Sequence, residues 1–230
     1  MSPDVPTALT HMTETPAIEL TGLTRRMGNQ QVLRGVDLEV APGRLVVLRG
    51  GNGAGKTTLL KVLATRLRPT GGTAKLFGFD VLKDQAEVRA RMGMLSVMGG
   101  SYPVLSAREN LTMAADMTGK DRAAVGGLLE KVGLADAADK YVRAFSSGMK
   151  KRLGLARLLL IDPELWLLDE PYAALDDAGK QLVDEVVSQA RERGRTLLMA
   201  SHESDRDALK PDAVLQLHDG RLRLAPQVKP

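Results

Sequence analysis

The 230-residue chain contains no cysteine, which excludes disulfides and thiolate-ligated metal. It also lacks any apolar run approaching the ~20 residues that span a bilayer. Aromatic residues make up only 3% of the chain. No long Lys/Arg run concentrates its net charge of +4, so the sequence pI near 9.4 reads as a mildly basic solvated surface. No nucleic-acid partner is expected on that basis. Glycine, in contrast, is abundant at 23 residues, pointing to several backbone sites that need positive φ or close approach to a ligand. The polar, Pro-bearing start is not a signal peptide, and residues 1–15 read as a mobile tail, with Met12 an alternative start.

Three short, unbroken apolar runs stand out: Leu45–Leu48, Leu165–Leu168 and Thr196–Ala200, with a fourth candidate at Met92–Ser96. Unbroken runs of this length suit parallel strands buried on both faces. Helical patterns between them argue for an α/β core. Ile18–Leu20, Val36–Val40 and Ala74–Phe77 are short or alternating and read as antiparallel strands beside that core. Residues 97–147 read as mostly helical, with Ser106 and Glu109 at capping-box spacing. Near the end, Ala213–Leu217 and Arg221–Leu224 flank a turn at Asp219-Gly220.

The segment Gly50-Gly51-Asn52-Gly53-Ala54-Gly55-Lys56-Thr57 matches the phosphate-loop pattern G-x-x-x-x-G-K-[ST] and sits between a strand and a helical pattern that begins with Thr58. Glycines allow consecutive backbone N–H groups to turn inward around phosphate oxygens, and the following helix N-terminus adds positive potential. Lys56 is expected to reach the β- and γ-phosphates, and the Thr57 hydroxyl to ligate Mg²⁺. Kinases, GTPases, helicases and transport ATPases all use such a loop, so it names no function alone.

The strand at 165–168 runs into Asp169-Glu170, at the carboxyl edge where a nucleotide would bind. Asp169 is suited to hold Mg²⁺ through its water shell, and Glu170 to orient or deprotonate an attacking water. Phe145-Ser146-Ser147-Gly148-Met149 precedes a helical stretch over 150–160, which makes a second candidate anion site at a helix start.

Taken in order, these motifs resemble the ATP-binding subunits of ABC transporters over residues 16–220. The phosphate loop resembles the first nucleotide motif, Ser146–Met149 the signature, and Leu167–Pro171 the acidic motif. Ala174-Leu175-Asp176 resembles the D-loop, and Ser201-His202 the switch histidine. The resemblance implies an α/β fold: a P-loop NTPase core with a mostly parallel sheet, an antiparallel β subdomain and a helical subdomain inserted at about 97–150. It further implies a homodimer that sandwiches two ATP molecules with Mg²⁺. Gly50 through Thr58 and His202 would serve the site in cis. Ser146 and Gly148 would meet the γ-phosphate of the facing subunit, and Asp176 would lie near the dimer axis. Glu170, His202 and Lys56 carry the implied hydrolytic roles.

The chain departs from that family at two positions. Where the family usually has Gln after the strand at 92–96, this chain has Val97, or Met98 with a one-residue shift; neither can contact Mg²⁺ or water, which implies slower hydrolysis. Where the family stacks adenine on an aromatic residue, Met27 stands, offering apolar contact without a π-face. With no membrane segment, the resemblance implies a separate integral membrane permease on whose cytoplasmic side the chain would sit, received around 97–111. The runs Phe145–Leu153, Glu170–Asp176 and Met199–Glu203 look most like the heme exporter subunit of cytochrome c maturation. ABC-2 type drug and lipid exporters share much of this pattern. A soluble ABC ATPase acting on ribosomes or DNA, and a nucleotide kinase, are the readings from other classes.

Overall fold

A computed structural model describes residues 15–96, 100–201 and 209–224. Val97, Met98, His202 and residues 1–14 of the expected tail lie outside the described residues.

Two sheets organise the chain. A four-stranded antiparallel sheet has the order β2 (Gln30–Val40), β1 (Ile18–Met27), β4 (Gly71–Leu76), β5 (Phe79–Asp80). A six-stranded sheet has the order β10 (Arg221–Leu224), β9 (Ala213–His218), β3 (Leu45–Arg49), β8 (Thr196–Ala200), β7 (Leu165–Asp169), β6 (Met92–Leu95). Its pairings are parallel except for the β9–β10 hairpin. The α/β class with a mostly parallel sheet and an antiparallel partner is therefore the observed architecture.

The unbroken apolar runs have a direct explanation in the packing. On β7, Trp166 and Leu168 face one core and Leu165 and Leu167 the other. On β8, Leu197 and Met199 alternate with Leu198 and Ala200 in the same way. Strands covered on both faces cannot afford a polar residue at every second position, so alternation disappears. The first core is completed by α3 (Ala107–Thr118), α4 (Ala124–Lys131), α5 (Ser147–Ile161) and α6 (Asp177–Glu192). The second lies between the parallel sheet, α1 (Lys56–Leu63) and the antiparallel sheet, with α2 (Gln85–Arg91) adding Val88. Truncating a fully buried leucine such as Leu168 to alanine would cost about 2–5 kcal/mol.

Local chemistry fixes the element ends. The Ser106 hydroxyl accepts from Glu109 N at 3.1 Å, and the Glu109 carboxylate accepts from Ser106 N at 2.7 Å, so the anticipated capping box starts α3. Asp219 and Gly220 both have positive φ (48° and 71°), the backbone of a tight hairpin turn, and β9 and β10 pair in register around it. The Gly220 carbonyl accepts from Arg34 N at 2.8 Å, which joins the hairpin tip to β2 and so one sheet to the other.

Strand β1 is much longer than the three residues anticipated. Register shifts between Leu20 and Leu23, and again between Arg25 and Arg26, break its alternation. A bulged strand of this kind conceals its period in the sequence.

Candidate nucleotide site

The loop between β3 and α1 forms one wall of a cavity of about 390 Å³. Gly51 through Thr58 line it together with Gln30, Val32 and Glu170. Gly50 adopts φ 157°, and a Cβ there would collide with the Leu217 carbonyl oxygen; Gly55 adopts φ 108° at the N-cap of α1. Both positions therefore demand glycine on steric and conformational grounds. Gly51 and Gly53 line the cavity, and a Cβ on either would meet nothing within 4 Å.

Lys56 is only 6% exposed. Its ammonium donates to the Gly50 carbonyl at 2.7 Å and stands 3.6 Å from Glu170 Oε1. Burial pushes the Lys56 pKa below its ordinary value, outweighing the opposing fields of Glu170 and Asp169. A phosphate group would reverse that balance by supplying negative charge beside the ammonium.

Thr57 Oγ1 donates to Asp169 Oδ1 at 2.9 Å, linking the first turn of α1 to the last residue of β7. Asp169 is buried. A hydroxyl and a carboxylate at this separation form a hard-oxygen pair that suits Mg²⁺, and the lysine with its ring of backbone N–H groups suits a polyphosphate. The donor set thus fits both groups.

Glu170 follows Asp169 with φ 48°, a left-handed conformation uncommon for a residue with a side chain. Its N–H donates to the Ala200 carbonyl at 2.9 Å. Its carbonyl accepts from the Lys151 ammonium and from Ala173 N. Lys151, which the motif reading passed over as part of a helical stretch, is 1% exposed. In the sequence it stands in the basic run Lys150-Lys151-Arg152 near the start of α5, where nothing marks it out from its neighbours.

Ser146 is the N-cap of α5, with its hydroxyl accepting from Met149 N at 3.2 Å. It is exposed, and neither it nor Gly148 lines the cavity formed by this chain's phosphate loop. A Cβ on Gly148 would come within 2.9 Å of the Ala174 carbonyl oxygen, so the signature and the D-loop segment are in close contact. Asp176 caps α6 through Gly179 N at 2.9 Å and accepts from Arg152 at 2.7 Å. The Gly179 hydrogen bond, then Arg152, hold its carboxyl below the usual range. Met27 ends β1 and is 49% exposed. It is not among the cavity-lining residues, whereas its strand partner Gln30 is.

A parallel sheet with a phosphate loop at one strand's carboxyl end and an acidic pair at another defines a P-loop nucleotide-binding protein. The family model described as "ABC transporter" matches residues 33–173. The bacitracin transport ATP-binding protein BcrA of Bacillus licheniformis is 38% identical over 207 residues, covering 89% of this chain and 68% of that protein. The cytochrome c biogenesis ATP-binding export protein CcmA 2 of Cupriavidus metallidurans is 37% identical over 188 residues, covering 81% of this chain and 89% of that protein. The solved structure of an ATP-binding subunit of an ABC transporter superposes with a TM-score of 0.82 at 26% identity, covering 90% of this chain and 88% of that one. The chain belongs to the ABC transporter family, as one of its ATP-binding, ATP-hydrolysing subunits. It spans 68% of the length of BcrA and 89% of that of CcmA 2, and 62% of a Nod factor export ATP-binding protein of Paraburkholderia xenovorans.

Proposed function

We propose that this chain is the motor of a membrane exporter, working as a homodimer docked on the cytoplasmic side of a separate integral membrane permease. The observation that carries the reading is the convergence of Lys56, Thr57 and Glu170 on one cavity, with the Asp169 carboxylate hydrogen-bonded to Thr57 behind it. Among the described residues, no helix is long and apolar enough to cross a membrane. The conduit is assigned to another chain on the model of relatives described as transport or export ATP-binding proteins.

In this reading the N–H groups of residues 50–58 and the Lys56 ammonium bind the phosphates of ATP. Thr57 and Asp169 are the residues that would hold Mg²⁺. The cation, when bound, neutralises phosphate charge and polarises the terminal phosphoryl group. Glu170 orients the attacking water and accepts its proton. His202 is assigned a contact to the γ-phosphate from the family resemblance. Met27 is assigned an apolar contact to the base from the family resemblance. The exposed start of α5, with Ser146 and Gly148 away from their own phosphate loop, supports their use by the facing subunit's nucleotide.

Glu170→Gln tests the arrangement. The variant should bind ATP, lose hydrolysis by a factor of about 10²–10⁴, and elute as a dimer in MgATP by gel filtration. A variant that stays monomeric while binding ATP would sink the sandwich.

A second, finer reading is heme export in cytochrome c biogenesis. The similarity to CcmA 2 supports it, together with the runs Phe145–Leu153 and Glu170–Asp176. Removing the gene from its host should abolish covalent heme staining of c-type cytochromes, and a Lys56→Ala copy should not restore it. Undiminished cytochromes would favour an ABC-2 type drug or lipid exporter. Co-purification with ribosomes in place of a membrane protein would favour a soluble ABC ATPase.

A further inference from the structure

Glu170 lies between two buried ammonium groups. Lys56 stands 3.6 Å from its carboxylate, and Lys151 donates to its backbone carbonyl. The first belongs to the phosphate loop. The second has no place in the nucleotide site as described, since it lies on α5 and is not among the cavity-lining residues.

Burying Lys151 is expensive. At 1% exposure its ammonium has lost its hydration, and that desolvation lowers its pKa more than the fields of Glu170 and Asp169 raise it. An apolar side chain of similar length would fill the space without that cost. What the ammonium provides is a charged donor aimed at a peptide that sits in a strained conformation. With φ 48°, the Glu170 backbone persists only because its neighbours over-determine it. Among the bonds that do so are Glu170 N to Ala200 O, Ala173 N to Glu170 O, and Lys151 Nζ to Glu170 O. Two of these are ordinary backbone bonds. The third comes from a side chain and reaches across from another element.

We infer that Lys151 is a positioning residue for hydrolysis: by holding the Glu170 carbonyl, it fixes the direction in which the Glu170 carboxylate points. This rests on Glu170 acting on the attacking water as proposed above. Lys151 also lies within the first turn and a half of the helix capped by Ser146. A displacement of the α5 N-terminus is therefore transmitted through one side chain to the carboxylate of the same chain's own site.

The test measures steady-state phosphate release and equilibrium ATP binding for the full chain and for Lys151→Met, Lys151→Gln and Lys151→Arg, well below each variant's Tm. Lys151→Met should lower kcat by about tenfold to a hundredfold, the scale of a misaligned catalytic group. ATP affinity and KM should stay within about twofold, because the phosphate loop is untouched. Lys151→Arg, which keeps a charged donor, should recover part of the loss, and Lys151→Gln less. Placed on Glu170→Gln, Lys151→Met should lower the residual rate no further, since both changes act on one group. An unchanged kcat in Lys151→Met or Lys151→Gln overturns the inference, as does a parallel loss of kcat and ATP affinity or full additivity with Glu170→Gln. If the unaltered chain itself releases no phosphate from MgATP, the hydrolytic assignment fails and the inference falls with it, whereas an active chain indifferent to Lys151→Met overturns the inference alone.

Discussion

Thr57 and Asp169 are 112 residues apart in sequence, yet the threonine hydroxyl donates to the aspartate at 2.9 Å. The contact exists because β3 and β7 flank β8 in one parallel sheet and end at the same edge. The pair should separate nucleotide binding from cation-dependent chemistry. Asp169→Asn should bind ATP in EDTA with affinity within about twofold of the unaltered chain, while its Mg²⁺-supported kcat drops by about a hundredfold. Equal loss of affinity with and without Mg²⁺ would show that Asp169 has no cation to serve.

Lys56→Ala removes the ammonium that Gly50 and Glu170 now hold in place. The expected result is a fall in ATP affinity of about tenfold or more by isothermal calorimetry, the scale of a lost charge-assisted contact. Unchanged affinity would detach the lysine from the phosphates.

Gly50→Ala and Gly51→Ala should part company in stability. At Gly50 the new Cβ collides with the Leu217 carbonyl oxygen on a φ of 157°, and a loss of about 2–4 kcal/mol is expected. At Gly51 a Cβ meets nothing within 4 Å, and the unfolding midpoint of the nucleotide-free chain should hardly move. Urea denaturation of the two variants, compared at equal m-value, decides it.

The acid limb of stability should contain the α3 capping box. The Ser106 N–H, then its hydroxyl, hold the Glu109 carboxyl below its ordinary value of 4.5. Its contribution is therefore complete above 4.5 and is lost as pH falls through the lowered folded value. Glu109→Ala should lower Tm by a few degrees at about pH 6, and the gap should narrow as the pH falls below 4.5. A gap independent of pH would mean that the box does not depend on the ionised carboxylate.

Much of this was legible in the sequence because local chemistry and global fold ask for the same residues. Strands β3, β7 and β8 announce themselves because two cores strip them of polar positions. The phosphate loop does so because Gly50 and Gly55 tolerate no side chain where they stand. What escaped notice depends on distance. Lys151 looks like one more basic residue in Met149-Lys150-Lys151-Arg152 until β7 brings the Glu170 carbonyl against α5. Gln30 carries no motif of its own, and only the β1–β2 pairing, which sets it opposite Met27, brings it to the cavity wall. The bulges in β1 erased the period that would have revealed its full length.

The turn at Asp219-Gly220 has the composition of a loose hairpin tip, the sort of place where a tag or a new pair of chain ends is commonly inserted. It is not free in that way. Gly220 is buried, its carbonyl bonds Arg34 N, and a Cβ there would run into the Val32 carbonyl oxygen. That same carbonyl lies 3.2 Å from where a Cβ on Gly55 would stand. Val32 is thus keyed between two glycines, one from the hairpin and one from the phosphate loop. An insertion at 219–220 would unseat a strand that walls the nucleotide cavity, and permutation or fusion at this turn would damage ATP binding from a position that looks peripheral in the sequence.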